Sequence, residues 1–251
     1  MTSSFDLTGK SAIVTGASTG LGKGMTLALA SAGADILLVD HTPCDEVARL
    51  VADLGRRTTT LVLDLMKMES VGQVTGKALA EFGKIDILIN NAGIIRRTPA
   101  IDFSEKDWDD VITLNAKTVF FLAQAAARDM VKRKYGKIIN ISSLLAFQGG
   151  ITVPSYAASK GAVAQITKAL ANEWASKGIN INAIAPGYMA TNNTKALRED
   201  AVREKAIADR IPAGRWGMPA DLQGVAVFLA SPASDYVNGH VLVVDGGWMA
   251  R

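Results

Sequence analysis

The chain has 251 residues, of which 49% are hydrophobic and 20% charged, and its formal net charge is +3. That length suits one large α/β core, and the near-neutral charge balance argues against a nucleic-acid-binding tail. Cys44 is the sole cysteine and His41 and His240 are the only histidines, so neither a disulfide framework nor a metal site is expected.

The densest basic run, Lys132, Arg133 and Lys134 with Lys137 close by, falls where a helix is expected to end, a place that favours cations. No stretch of 18 apolar residues suggests a membrane span, and the N-terminus has no secretory pattern. A cytoplasmic protein that binds neither membrane nor nucleic acid is therefore expected.

Taken in chain order, apolar β-branched runs alternate with helical stretches. A strand is predicted at 11–15, then a helix at 21–32, a strand at 35–39 and a helix at 44–54. A strand at 59–63, a helix at 67–82 and a strand at 85–89 follow. Next come one long helix at 105–133, a strand at 137–141, a helix at 156–176 and a strand at 179–184. The segment 187–217 reads as a loop, with a short helix at 193–207 inside it, before a helix at 219–230 and a last strand at 240–244. Several strand runs are apolar throughout, as strands covered on both faces are. This βα rhythm predicts a doubly wound, mostly parallel sheet within one domain, 1–251. The long excursion at 187–217 reads as a substrate loop or lid.

The first strand runs into Thr15-Gly16-Ala17-Ser18-Thr19-Gly20-Leu21-Gly22. Glycines at 16, 20 and 22 allow a tight turn whose backbone, with the helix N-terminus near Leu21, can receive a pyrophosphate. Asp40 ends the second strand, 24 residues after Gly16. A carboxylate there can accept from both ribose hydroxyls and would repel a 2′-phosphate, so NAD is the expected cofactor. Asp40 can also simply cap the next helix. Asp64, followed by Leu65, ends the third strand and faces the same crevice, where it can accept from an adenine amino group or cap a helix. Asn90-Asn91-Ala92-Gly93 after the fourth strand lets the chain pass close to a flat ring, with Asn side chains pinning loop backbone or ribose. Pro186-Gly187 ends the sixth strand, and Thr191 follows within reach of a nicotinamide amide or a phosphate.

Tyr156 and Lys160 lie four apart on one helix face. A tyrosine is a poor base at its ordinary pKa of about 10, and a nearby ammonium lowers that value. Such a tyrosine can exchange a proton with an alcohol or alkoxide. Ser143, thirteen residues upstream, can hold the reacting oxygen. Asn115 is a polar residue within an apolar helical run. It either anchors a water that relays protons from Lys160 or marks a kink. Taken singly, these are ordinary helix residues. Together, behind a dinucleotide-type front half, they suit hydride transfer.

These motifs, TGASTGLG at 15–22, NNAG at 90–93, Asn115, ISS at 141–143, YAASK at 156–160 and PG…T at 186–191, resemble the short-chain dehydrogenase/reductase family along essentially the whole chain. The resemblance implies a Rossmann-type sheet of seven strands, a tetrad of Asn115, Ser143, Tyr156 and Lys160, and a homotetramer. It also favours the cofactor role for Asp64 and the relay role for Asn115. The stretches at 93–97, 103–111, 145–150, 153–160, 182–194 and 209–217 resemble a sugar-acid subgroup. For that subgroup the implied reaction joins 2-dehydro-3-deoxy-D-gluconate and a 2,5-diketo acid by hydride transfer at C5, with NAD.

Independent of the resemblance, Arg96 and Arg97 follow the fourth strand at the crevice side, and an arginine can grip a carboxylate bidentately. Gln148, Asn192, Asn193 and Arg215 add polar groups in candidate substrate loops, and Trp216 and Met189 can wall a pocket or fill core. Each arginine can equally be a surface or subunit contact. Another sugar dehydrogenase, a 2-deoxy-D-gluconate 3-dehydrogenase or a 3-oxoacyl carrier-protein reductase remain alternatives, as does a non-catalytic dinucleotide sensor.

Overall fold

A computed structural model describes residues 3–251. Seven strands form one sheet: β1 (Ser11–Thr15), β2 (Asp35–Asp40), β3 (Thr58–Val62), β4 (Ile87–Asn90), β5 (Gly136–Ile141), β6 (Ile179–Pro186) and β7 (Val241–Val244). Their order is β3-β2-β1-β4-β5-β6-β7. Every neighbouring pair is parallel, where a mostly parallel sheet was expected.

Period-two alternation splits each buried strand between two cores. Ala12 and Val14 of β1 face one side with Ile36 and Leu38 of β2. They meet Met25 and Leu29 of α1 (Gly20–Ser31), Val47 and Val51 of α2 (Asp45–Asp53), and Ala226 and Leu229 of α9 (Gln223–Ala230). Ile13, Leu37 and Val39 face the other side. There they meet α3 (Glu69–Phe82), α5 (Thr118–Arg133) and α6 (Pro154–Trp174), with Val74, Leu122, Met130 and Trp174 at the contact. Covering both faces is what makes the strand runs continuously apolar.

The helix expected at 105–133 is broken. It consists of α4 (Glu105–Ile112), a π turn (Thr113–Lys117) and α5. Ser104 caps α4 by accepting from the Asp107 N–H. The excursion at 187–217 holds α7 (Lys195–Glu199) and α8 (Ala201–Ala208), the latter capped by Asp200. A short 3₁₀ turn occupies 219–222, the start of the helix expected at 219–230.

The basic run at 132–137 is only partly a helix-end cluster. Arg133 pairs with Asp86 and Asp129, each at 2.8 Å. Lys137 is 1% exposed within β5, where it meets Asp235 at 2.6 Å and Asn180 at 3.1 Å. A buried ammonium persists only when paired in this way. No helix among the described residues is long and apolar enough to cross a membrane.

Candidate active site

Strand order reverses between β1 and β4, and a cavity of about 620 Å³ opens at the carboxyl ends of the strands there. Open parallel sheets bind ligands at such a point. The glycine-rich turn, Tyr156, Lys160 and Thr191 all line the cavity, with Thr191 close to the turn.

At the turn, Gly16 and Gly20 hold φ of +64° and +56°. A Cβ at Gly22 would collide with the Gly16 carbonyl oxygen. Asn91 pins this turn, its amide donating to the carbonyls of Thr15 (2.9 Å) and Gly16 (3.0 Å). The backbone N–H groups of Asn91 and Ala92 both donate to the Thr15 hydroxyl at 3.0 Å. The N-terminus of α1 has no side-chain cap and no acid in its first turn. Uncapped N–H groups beside a close backbone fit a pyrophosphate, so a dinucleotide suits these residues.

Asp40 lines the cavity but is not a free acceptor. One carboxylate oxygen takes the Ser18 N–H at 2.9 Å. The other takes the His41 N–H at 2.7 Å and the Thr42 N–H at 3.3 Å, and lies 2.8 Å from His41 Nδ1. Burial pushes the Asp40 pKa up, and these hydrogen bonds pull it further down, to a net lowering. Asp64 is exposed at the cavity edge and accepts from the Met66 N–H, while α3 starts after Met68. Leu65 is buried, and its carbonyl takes the Thr118 hydroxyl at 2.8 Å. Pro186 and Gly187 do not reach the cavity, because Gly187 is pressed against Asp245. Thr191 does reach it, and its side chain sits 3.7 Å from where a Cβ on Gly20 would lie.

Pro154 opens α6, which puts Tyr156 and Lys160 on its first two turns. Lys160 is buried, donates to the Ile141 carbonyl at 2.7 Å, and lies 5.4 Å from the centroid of the Tyr156 ring. Burial pulls its pKa down to about 8. Burial also raises the Tyr156 pKa, against smaller downward pulls from the Ser143 hydroxyl and the Arg97 guanidinium. This differs from the expectation of a tyrosine made acidic by its lysine. The ammonium is turned to a backbone carbonyl, and the cation acting on the phenol is Arg97. Ser143 caps a short 3₁₀ turn by accepting from the Leu145 N–H at 3.2 Å.

Asn115 lies in the π turn and is fully buried. Its carbonyl oxygen accepts from the Ile94 N–H, and its amide donates to Ile94 O (2.9 Å) and Ser159 Oγ (3.2 Å). Both amide hydrogens are therefore occupied by protein. The side chain fixes the 93–94 backbone to α6 and has no donor left for a relay water. A π turn is a recurrent device at functional sites.

The two neighbouring arginines part company. Arg96 turns to α4, 3.2 Å from Asp107 and 3.8 Å from Asp110. Arg97 is exposed, donates to the carbonyl of the cavity-lining Asn193 at 3.0 Å, and its charge pulls the Tyr156 pKa slightly down. Arg215 is held bidentately by Asp221 at 2.7 and 2.8 Å, so both of its candidate carboxylate-binding edges are taken. Arg96 and Arg215, both expected in the substrate set, are thus each paired with aspartate in this structure. Each is neutralised by aspartates a few residues away in the fold. Gln148 accepts from Trp248 Nε1 at 3.3 Å, and Asn192 and Asn193 line the cavity. Met189 is buried, and Trp216 packs edge-on to Tyr188 at 5.6 Å. Sequence reasoning missed the apolar wall of Ile94, Leu114 and Ile141. Ile141 opens the ISS motif and Ile94 and Leu114 each adjoin a motif residue, and that placement was the available signal.

Comparison with known proteins agrees with this geometry. The family described as enoyl-(acyl carrier protein) reductase matches residues 16–249. The 2-dehydro-3-deoxy-D-gluconate 5-dehydrogenase of Dickeya dadantii is 60% identical over 248 residues, 98% of each chain. A solved Agrobacterium tumefaciens protein, provisionally named a 2-deoxy-D-gluconate 3-dehydrogenase, is 51% identical with a TM-score of 0.93 over 100% of both chains, and holds NADP. A gluconate 5-dehydrogenase from Burkholderia cenocepacia, 42% identical with a TM-score of 0.93 over 98% of both chains, was solved with NADP and tartrate. The bound NADP in these relatives overturns the expectation of NAD. The reasoning failed at Asp40, which was taken as an open acceptor although its own loop fills it. With this sheet, this cleft and these relatives, the chain belongs to the short-chain dehydrogenase/reductase family.

Proposed function

We propose that the protein is an NADP-dependent oxidoreductase that interconverts 2-dehydro-3-deoxy-D-gluconate and the corresponding 2,5-diketo acid at C5. The observation that carries this reading is Arg97. It is the arginine of the candidate set with no aspartate partner, it donates to the backbone of Asn193, a cavity-lining residue, and its charge is felt at Tyr156. A keto acid places its carboxylate a few atoms from its reacting carbonyl. One guanidinium next to the proton donor suits that spacing, and an acyl chain would leave it unpaired. The name carried by the Dickeya relative supports the same substrate class.

Bound NADP or its reduced form supplies the hydride acceptor or donor. In the reducing direction the Ser143 hydroxyl holds the keto oxygen and Tyr156 gives its proton to that oxygen as negative charge develops there. The raised pKa of Tyr156 keeps the phenol protonated at neutral pH, the state a donor needs. Lys160, tied to Ile141, would order the cofactor's ribose, and the tyrosine recovers its proton from solvent. Asn115 holds the 93–94 backbone, which would pass beside the nicotinamide, against α6. In oxidation the same groups act in reverse, with Tyr156 taking the alcohol proton. Gly16, Ser18, Thr19, Gly20, Leu21 and Thr191 cradle the phosphates, and 187–217 closes over the sugar acid. A cytoplasmic homotetramer of this one domain completes the proposal, and light scattering sizes it.

The test is turnover of purified protein with NADP and NAD against a panel of sugar acids, their keto forms and a 3-oxoacyl thioester. The deoxy keto acids are expected to lead, with NADP. Preference for the thioester would refute the reading. Tyr156→Phe is expected to keep cofactor binding and lose most turnover.

A further inference from the structure

The last seven residues occupy a place that the chemistry above leaves unused. After β7, the Asp245 carboxylate accepts from the N–H groups of Gly247 and Met249, each at 2.8 Å, and folds the chain back. Gly246 and Gly247 adopt φ of +65° and +92° in this turn. The turn sits tightly on the end of the substrate loop. A Cβ on Gly246 would come within 2.9 Å of Ile211, and one on Gly247 within 3.0 Å of Pro212. Ala213 N–H donates to the Gly246 carbonyl at 2.9 Å, and Arg251 donates to the Asp209 carbonyl at 2.8 Å.

Trp248 is the centre of this clasp and is 5% exposed. Its ring lies 4.5 Å from that of Tyr188, and the Arg210 guanidinium stacks 4.0 Å above it. Both partners belong to the substrate loop. Its indole N–H reaches the other way, to Gln148 Oε1 at 3.3 Å, on the segment that follows Ser143. An indole N–H can only donate, so it selects the carbonyl end of the Gln148 amide. The amide nitrogen makes no hydrogen bond among the described residues.

We propose that Trp248 is a positioning residue for the sugar acid. It fixes the Gln148 amide so that the –NH₂ end is presented to a substrate oxygen, and it ties that donor to the substrate loop through Tyr188 and Arg210. The proposal rests on the sugar-acid reading above. It explains why a single buried indole touches both the substrate loop and the segment after Ser143, and it makes Gln148 a donor rather than an ambivalent amide. Hydroxyl and carboxylate oxygens of a polyhydroxy acid accept from such a group, whereas a hydrocarbon chain gains nothing from it.

Trp248→Phe keeps an aromatic ring against Tyr188 and Arg210 while removing the N–H together with part of the ring. Gln148→Glu keeps an acceptor for the indole and removes both donors. In each variant KM for the 2,5-diketo acid is expected to rise about tenfold, the size of one lost hydrogen bond, with KM for NADPH and kcat within about twofold. The double variant is expected to be no worse than the worse single one, because both act through one amide. An unchanged acid KM in either folded variant overturns the proposal. So does an equal rise in KM for NADPH, or effects that multiply in the double variant. If Trp248→Phe melts far below the parent, Gln148→Glu alone decides. Failure of the parent protein to turn over any sugar acid refutes the function instead, and that outcome is seen before a variant is made.

Discussion

Lys160→Met isolates the ionisation of the buried lysine. Burial draws the folded-state pKa from its ordinary 10.5 to about 8. A drop of that size corresponds to about 3 kcal/mol of differential interaction between the two protonation states. Between the two pKa values the unfolded chain binds more protons than the folded one, so stability rises with pH across that window. Below about 8 the full penalty for the charged form is in place, and it fades as pH climbs towards 10.5. Methionine fills a similar volume and does not titrate. Packing changes and the lost bond to Ile141 are nearly independent of pH, so comparing the two proteins at two pH values cancels them. Relative to Lys160→Met, the parent should therefore gain roughly 2–3 kcal/mol between pH 7 and pH 10. Urea midpoints of the cofactor-free proteins at those pH values measure this. A stability difference that stays constant between the two pH values would refute the reasoning, since the lysine would then titrate alike folded and unfolded.

Three further outcomes are expected. Gly22→Ala should abolish NADP binding in a titration of cofactor fluorescence, since the added methyl meets backbone and not a movable side chain, and unaltered affinity would contradict the cradle. Thr152 holds φ of +63°, a strained conformation for a β-branched residue, just before Val153 and the start of α6. Thr152→Asn should stabilise the protein by about 1 kcal/mol in urea unfolding. Arg97→Met should raise KM for the keto acid tenfold or more, whereas Arg215→Met should leave it within about twofold, and steady-state kinetics that reverse this order would reassign the carboxylate partner.

The strands, the parallel sheet and the motif residues around the cleft were legible because continuously apolar runs and glycine spacing are local properties. What escaped depended on partners distant in sequence or on one residue of helical phase. The π turn at 113–117 adds a residue to a turn without breaking the apolar pattern, so 105–133 read as one helix. Arg96 and Arg97 are chemically alike in the sequence. They separate only when Asp107 and Asp110, one turn apart on α4, capture the first. Arg215 is silenced by Asp221 in the same manner. Lys137 read as an adjunct of a helix-end cluster because Asp235, its partner, lies 98 residues away. Asp40 misled for the opposite reason. Its partners are immediate neighbours and Ser18, and a residue type alone does not reveal that its lone pairs are already filled.

The threads from Asn91 to the carbonyls of Thr15 and Gly16, with Thr15 receiving two backbone N–H groups in return, sew the two halves of the sheet together at the bottom of the cleft. A seam of four hydrogen bonds at that point works against any scissor motion that would widen the crevice from below. Entry and exit of cofactor and product are then left to the roof, where 187–217 is anchored at one end by β6 and at the other by the turn before α9. The molecule would thus be a fixed basin under one cover, 187–217, itself held by the C-terminal turn. The pace of exchange should follow the stiffness of that cover, not the stability of the sheet beneath it.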